Sequence, residues 1–336
     1  MPEPTSPNPT THYGDEVEHT GVGTSVWLTA QRNSRSQRTG RYLPGSVAHP
    51  AKMLPAIARH AINTYTNPGD LVVDPMCGIG TTLVEALHLG RRGFGVEYEQ
   101  RWATMARANI AHARTQGATG YAEVVNADAR TLPDVAPQEL IGTAALVITS
   151  PPYGASLHGQ IRSTSESGER GVQKFDWKYS TDKANLAHVG LDELIDGFAQ
   201  ILSGCAALLR PGGVIAITAR PWREHGELVD LPSEVISAGQ RAGLVPVERC
   251  VALLAGIRDD ALVARPSFFQ LNNVRKKRAE GLPHAVIAQE DVIVLKLPGV
   301  DSSPGLERRR TQNKSGAIPA AAHGALGAHL GARAES

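Results

Sequence analysis

Leu71-Val72-Val73-Asp74-Pro75-Met76-Cys77-Gly78-Ile79-Gly80-Thr81-Thr82 runs from an apolar strand pattern into a glycine turn, and Leu83-Val84-Glu85-Ala86-Leu87 continues as a helix pattern that ends at Gly90. Strand, glycine turn and helix in succession is the arrangement by which α/β sheets bind nucleotides. Gly78 and Gly80 let the backbone turn tightly and come close to a ligand. No Gly-Lys-Ser/Thr follows, so the turn is not a P-loop. Gly93-Phe94-Gly95-Val96 reads as the next strand and ends in Glu97, with Tyr98 after it. A carboxylate about 20 residues past the glycines stands where such sheets hold ribose hydroxyls. A fourth strand pattern, Glu123-Val124-Val125, leads to Asn126-Ala127-Asp128-Ala129.

Ala144-Ala145-Leu146-Val147-Ile148-Thr149 is an unbroken apolar run, the pattern of a strand buried in a parallel sheet. Ser150-Pro151-Pro152-Tyr153 follows. Two prolines cannot continue a central strand, so the chain leaves the sheet at its carboxyl edge. Open α/β sheets bind their ligands at that edge. A hydroxyl, a carbonyl and an aromatic ring meet there and suit a flat, amino-bearing ring. Taken alone, the four residues also fit a plain Pro-Pro turn.

In this order the motifs resemble those of the amino-group DNA methyltransferases that use S-adenosylmethionine (SAM). The resemblance runs from about Arg41 to about Leu297. It implies that Asp74, Met76, Cys77, Gly78, Gly80 and Thr81 hold the cofactor, that Glu97 with Tyr98 takes its ribose, and that Asp128 with Ala129 meets its adenine. His49-Pro50-Ala51-Lys52-Met53 looks like the His-Pro-rich motif that precedes the glycine turn in this family, which adds His49 to the cofactor set. Read from the residue alone, His49 is equally a packed or solvated histidine. Ser150, Pro151, Pro152 and Tyr153 have the form of the catalytic motif. By resemblance, the Ser150 hydroxyl and the Pro151 carbonyl accept hydrogen bonds from the target amine and Tyr153 stacks on a base flipped out of its duplex. Serine in the first position is the more usual choice in cytosine-N4 enzymes and aspartate in adenine-N6 enzymes. The expected reaction is methyl transfer to cytosine N4 in DNA, with adenine N6 in DNA or guanine N2 in RNA as alternatives. RNA guanine-N2 enzymes share this motif order and often show Pro-Pro-Tyr-Gly, as Pro151 to Gly154 do, but usually carry aspartate where this chain has Ser150. The DNA reading leaves room for a restriction endonuclease partner.

The chain has 336 residues, 41% of them hydrophobic, and a formal net charge of +1. That charge gives no bulk signal for nucleic acid, so such binding has to rest on local patches. Cys77, Cys205 and Cys250 are too few and too scattered for a disulfide framework or a zinc site, and no metal is expected. No apolar run nears the roughly 18 residues of a membrane span, and no leader pattern opens the sequence, so a cytoplasmic protein away from membranes is expected. The oligomeric state is not legible.

Strand and helix patterns alternate from residue 50 onward, which predicts an α/β fold: a doubly wound, mostly parallel, Rossmann-like sheet with an antiparallel last strand. Strands near Val245 to Leu254 and Asp291 to Leu297 are expected to close it as a pair. The expected organisation is a disordered, basic N-terminal arm over 1–40, a methyltransferase domain over 41–300 and a flexible tail over 301–336. Gln31 to Tyr42 holds Arg32, Arg35, Arg38 and Arg41 without an acid and reads either as a solvated arm or as a phosphate contact. Residues 154–190, with Phe175, Trp177 and Tyr179, and residues 256–289, with Arg275-Lys276-Lys277-Arg278, interrupt the core pattern. Long insertions in compact domains are usually functional or disordered, which makes both candidates for target recognition. The four basic residues are the expected nucleic-acid contact, with a solvated charge run as the alternative.

Overall fold

A computed structural model describes residues 23–152, 160–163, 172–175, 185–224, 227–266 and 268–298, with 160–163 and 172–175 described by their backbone only. In chain order the main elements are β1 (Val26–Trp27), α1 (Ser34–Arg38), α2 (Pro55–Tyr65), β2 (Leu71–Asp74), α3 (Thr81–His88), β3 (Arg92–Glu97), α4 (Gln100–Thr115), β4 (Tyr121–Asn126), β5 (Ala144–Thr149), α5 (Leu191–Leu208), β6 (Leu209–Ala219), α6 (Leu231–Arg241), β7 (Val245–Leu253), α7 (Phe268–Ala279) and β8 (Gln289–Lys296).

The eight strands form one sheet in the order β1-β7-β8-β6-β5-β2-β3-β4. From β6 to β4 all neighbours are parallel. β8 runs antiparallel to both β6 and β7, the expected reversal of the last strand. β2 and β5 are buried along their whole length, as their apolar runs require. From β2 the chain winds outward through β3 to β4 and then returns across β2 to β5 and β6, so the strand order reverses between β2 and β5. Ligand crevices in open α/β sheets lie outside the carboxyl ends of the strands at such a reversal.

Helices cover both faces. Ile57, Ala58, Ala61 and Ile62 of α2 pack on Val72, Leu146, Ile148 and Ala216, while α3 and α4 meet through Leu83, Leu87, Trp102 and Ala106. On the other face Leu194, Phe198, Ile201 and Leu202 of α5, with Val235 of α6, pack on Val73, Val147, Ile217 and Ile293. Pro211-Gly212-Gly213 forms no plain turn before a strand. It lies inside β6 as a bulge, because Ala144 pairs with Leu209 and Leu146 already pairs with Val214.

The basic arm departs from both readings at Arg38 and Arg41. From residue 24 on it belongs to the fold. β1 pairs in parallel with β7, and Asn33 caps α1 by accepting from the Ser36 N–H at 2.8 Å. Arg41 binds Glu85 of α3 with Nε and Nη2, at 2.7 and 2.6 Å, and the Tyr42 hydroxyl donates to the same carboxylate at 2.7 Å. Arg38 reaches the Thr81 hydroxyl at 3.3 Å and the Met53 carbonyl. Glu85 is only 2% exposed, so Arg41, with Arg59 of α2 at 3.7 Å, neutralises a buried acid of the fold, while Arg32 and Arg35 stay exposed.

The described residues between 256 and 289 include regular elements. Gly256–Arg258 and Ala261–Val263 form a hairpin across Asp259 and Asp260, both at positive φ, and α7 follows. Gln160–Ser163 and Val172–Phe175 pair as a second hairpin. Trp177, Tyr179 and residues 1–22 and 299–336 lie outside the described residues, and no helix among the described residues is long and apolar enough to cross a membrane.

Candidate active site

One cavity of about 350 Å³ opens at the reversal point, a volume suited to a cofactor or small ligand. Its floor is the turn between β2 and α3. Gly80 N–H closes this turn onto the Cys77 carbonyl at 2.7 Å, and Cys77 N–H donates to the Val96 carbonyl at 2.9 Å. Gly78 sits at φ +54°. A Cβ there would stand 2.9 Å from Nε2 of His49, so the crowding at this glycine comes from His49 as well as from any ligand. The His49 ring is buried and tilts against Trp102, with ring centroids 4.6 Å apart. Burial first, and then the Lys52 ammonium, push its pKa down to about 3, so the ring is neutral. Lys52 in turn donates to the His49 carbonyl.

Glu97 ends β3 and is 1% exposed. Its Oε2 accepts from Gly78 N–H at 2.8 Å and its Oε1 from Glu99 N–H at 2.8 Å. One acid thus ties the glycine turn to the neighbouring strand while lining the cavity. Asn126 braces the same strand end by donating to the carbonyls of Glu97 and Tyr98, both at 2.8 Å. Asp74 ends β2, and burial pushes its carboxyl up to about 6. Met76 N–H donates to it at 3.1 Å. The Thr82 and Thr149 hydroxyls lie near it and oppose that push, yet neither completes a hydrogen bond by geometry. Asp128 is gripped by Arg130 through Nε and Nη2, at 2.9 and 2.6 Å. Burial pushes the Asp128 carboxyl up, but the Arg130 bonds outweigh it and hold the group ionised.

Of the residues predicted for the cofactor, His49, Asp74, Met76, Cys77, Gly78 and Thr81 line this cavity. Glu97, Tyr98, Asp128 and Ala129 do so as well. Gly80 does not; its Cβ position faces Ala106 of α4 at 3.2 Å, so its φ of +80° serves the entry into α3 and helix packing. Ser150, Pro151 and Pro152 reach the cavity from β5, and Tyr153 lies outside the described residues. Arg275, Lys276, Lys277 and Arg278 are not in the cavity wall; they lie on α7 with Arg275, Lys276 and Arg278 exposed and Lys277 paired to Glu280 at 2.8 Å. Lining residues that the sequence reading missed include Asn185, Thr218, Arg220 and Glu290. Arg220-Pro221 had a readable signal, since it repeats the Ser150-Pro151 pattern of a strand broken by proline at its carboxyl end.

Residues 4–108 match the family model described as DNA methylase, N6_N4_Mtase. Over that stretch the chain is similar to the amino-group methylases. The cofactor that this similarity implies is SAM. The residues present fit that cofactor: a glycine turn at positive φ, the buried carboxylate of Glu97 beside it in the same cavity wall and a Thr82 hydroxyl that lacks a hydrogen-bond partner among the described residues. The match covers His49 through Glu97 but stops short of Ser150. Among curated proteins, the tRNA (guanine(10)-N2)-dimethyltransferase of Methanothermobacter thermautotrophicus is 31% identical over 144 residues, 43% of this chain and 38% of that protein. The protein of the same name from Methanocaldococcus jannaschii is 31% identical over 122 residues, 35% of this chain and 34% of that protein. The chain thus spans little more than a third of these relatives. The solved structure of TrmN from Thermus thermophilus aligns with a TM-score of 0.43 at 18% identity, covering 79% of this chain and 53% of that one.

Proposed function

We propose that this chain is a SAM-dependent methyltransferase that acts on the exocyclic amino group of a nucleobase turned out of its helix, with cytosine N4 in DNA as the acceptor. The observation that carries this reading is the position of Ser150-Pro151-Pro152, which leave β5 beside the glycine turn and line the same cavity. A base amine is a poor nucleophile because its lone pair is delocalised into the ring. SAM, when bound, supplies a methyl group already activated on a cationic sulfur, so the chain's work is to position and polarise. The Ser150 hydroxyl and the Pro151 carbonyl accept the amine's hydrogens, turn its lone pair out of the ring plane and stabilise the positive charge that develops on nitrogen. The nitrogen gains the methyl group and releases a proton to water.

Exposed Arg275, Lys276 and Arg278 on α7 supply a local basic surface for the nucleic-acid backbone. A cytoplasmic site of action and a restriction endonuclease partner accompany the DNA reading. Guanine N2 in tRNA is the second reading, favoured by what the two archaeal relatives are named for.

Mass-spectrometric nucleoside analysis of DNA and RNA from cells expressing the chain decides the matter, with Ser150→Ala as control. N4-methylcytosine in DNA, absent with Ser150→Ala, is the expected result. N2-methylguanine in RNA selects the second reading, and no new methylated base in either nucleic acid overturns both.

A further inference from the structure

We propose that Arg220 and Glu290 read the ring edge of the acceptor base, Glu290 as a hydrogen-bond donor to the ring nitrogen beside the amine and Arg220 as a donor to the ring carbonyl beyond it. This rests on the amino-group reading above and narrows the acceptor to cytosine.

Strand register puts the three groups together. Thr149 pairs with Ile217 across β5 and β6, so Ser150 stands level with Thr218. Asp291 pairs with Ala219 across β6 and β8, so one step beyond that pair Glu290 stands level with Arg220. Because β8 is antiparallel, its amino end lies at the carboxyl edge of the parallel strands. Side chains alternate along a strand, and Ile148, Ala216 and Val292 all face α2. Ser150, Thr218, Arg220 and Glu290 follow in phase on that face, and all four line the cavity.

The chemistry then discriminates among bases. Cytosine presents an amine, a ring nitrogen and a carbonyl in sequence along one edge, as N4, N3 and O2. Guanine presents N2, N1 and O6 in the same order, but its N1 carries a hydrogen and needs an acceptor. Adenine offers no carbonyl at all. A neutral carboxyl at Glu290 donates to cytosine N3, whereas a carboxylate would repel it. Burial pushes the Glu290 carboxyl toward its neutral form, with Arg220 opposing.

Glu290→Ala, Arg220→Ala and Glu290→Gln, each in the full chain, test this by nucleoside analysis of host DNA and RNA beside calorimetric titration of SAM. Glutamine keeps an N–H donor without charge. Expected are N4-methylcytosine in the wild type, a loss of about ten- to hundredfold in Glu290→Ala and Arg220→Ala, near wild-type yield in Glu290→Gln, and unchanged SAM affinity in all three. N6-methyladenine or N2-methylguanine as the wild-type product overturns the edge-reading pair and leaves amino methylation standing. So does N4-methylcytosine that survives Glu290→Ala and Arg220→Ala, or that is lost equally in Glu290→Gln. If the wild type binds SAM and methylates no base, the amino-group reading itself falls, and this inference with it.

Discussion

Gly78 N–H donates to Oε2 of Glu97 at 2.8 Å, so the carboxylate expected to meet the cofactor also fastens the turn that cradles it. Glu97→Ala therefore costs stability even without SAM, by about 1.5–3 kcal/mol for hydrogen bonds to a charged group. Thermal unfolding without cofactor checks this. A variant that melts with the wild type yet binds SAM weakly would confine Glu97 to ligand contact.

Gly78 and His49 are coupled by space. Gly78→Ala places a methyl 2.9 Å from Nε2 of His49, on a backbone at φ +54°. The substitution destabilises the chain, and His49→Ala in the same molecule relieves part of the loss. A double-mutant cycle should give a coupling of about 0.5–3 kcal/mol. Strict additivity would mean that the backbone angle alone carries the penalty.

Asp74 makes stability depend on pH. Its carboxyl is pushed by burial from the ordinary 3.8 up to about 6, so between these values the native chain holds a proton that the unfolded chain releases. The group's contribution is full below about 4 and is lost as pH rises through about 6, a change of about 3 kcal/mol. Asp74→Asn should gain on the wild type in denaturant unfolding as pH rises from 4.5 to 7.5. Parallel curves would contradict a perturbed Asp74. SAM is a cation at its sulfur, so its affinity for the wild type should strengthen over the same range.

Arg41→Ala leaves Glu85 buried with less of its compensation. The expected cost is about 3–5 kcal/mol, with no change in the salt dependence of nucleic-acid binding. Neutralising Arg275, Lys276 and Arg278 should do the reverse, sparing stability and lowering the log-log salt slope by about 0.9 per lost phosphate contact. Filter binding across a salt series, beside unfolding curves, separates the two. Equal slopes in the α7 variant and the wild type would remove α7 from the nucleic-acid face.

The sheet was legible because its parallel strands are unbroken apolar runs and its turns carry Gly78 or Pro151-Pro152. The same local grammar pointed to one side of the cavity wall, from His49 to Asp128, because those residues lie next to strand ends that announce themselves. Arg220 and Glu290 escaped because their meeting depends on β8 inserting between β6 and β7, a pairing of residue 291 with residue 219 that no local pattern encodes. The arm was misread for a related reason. A run of arginines without acids looks solvated until Glu85 supplies the missing acid from 44 residues away.

β1 gives that arm a further meaning. Residues 26 and 27 find their partners only at residues 251 and 252, and the Thr29 hydroxyl closes on the Leu253 carbonyl at 2.7 Å. β1, the first strand among the described residues, can pair only after residues 251 and 252 have been made. An unpaired strand edge is a template for pairing with another chain, and flanking charge discourages that; Arg32, Arg35, Arg38 and Arg41 follow β1 in the chain. In the finished molecule Arg38 and Arg41 turn inward to Thr81, Met53 and Glu85, while Arg32 and Arg35 keep their charge at the surface beside the closed edge.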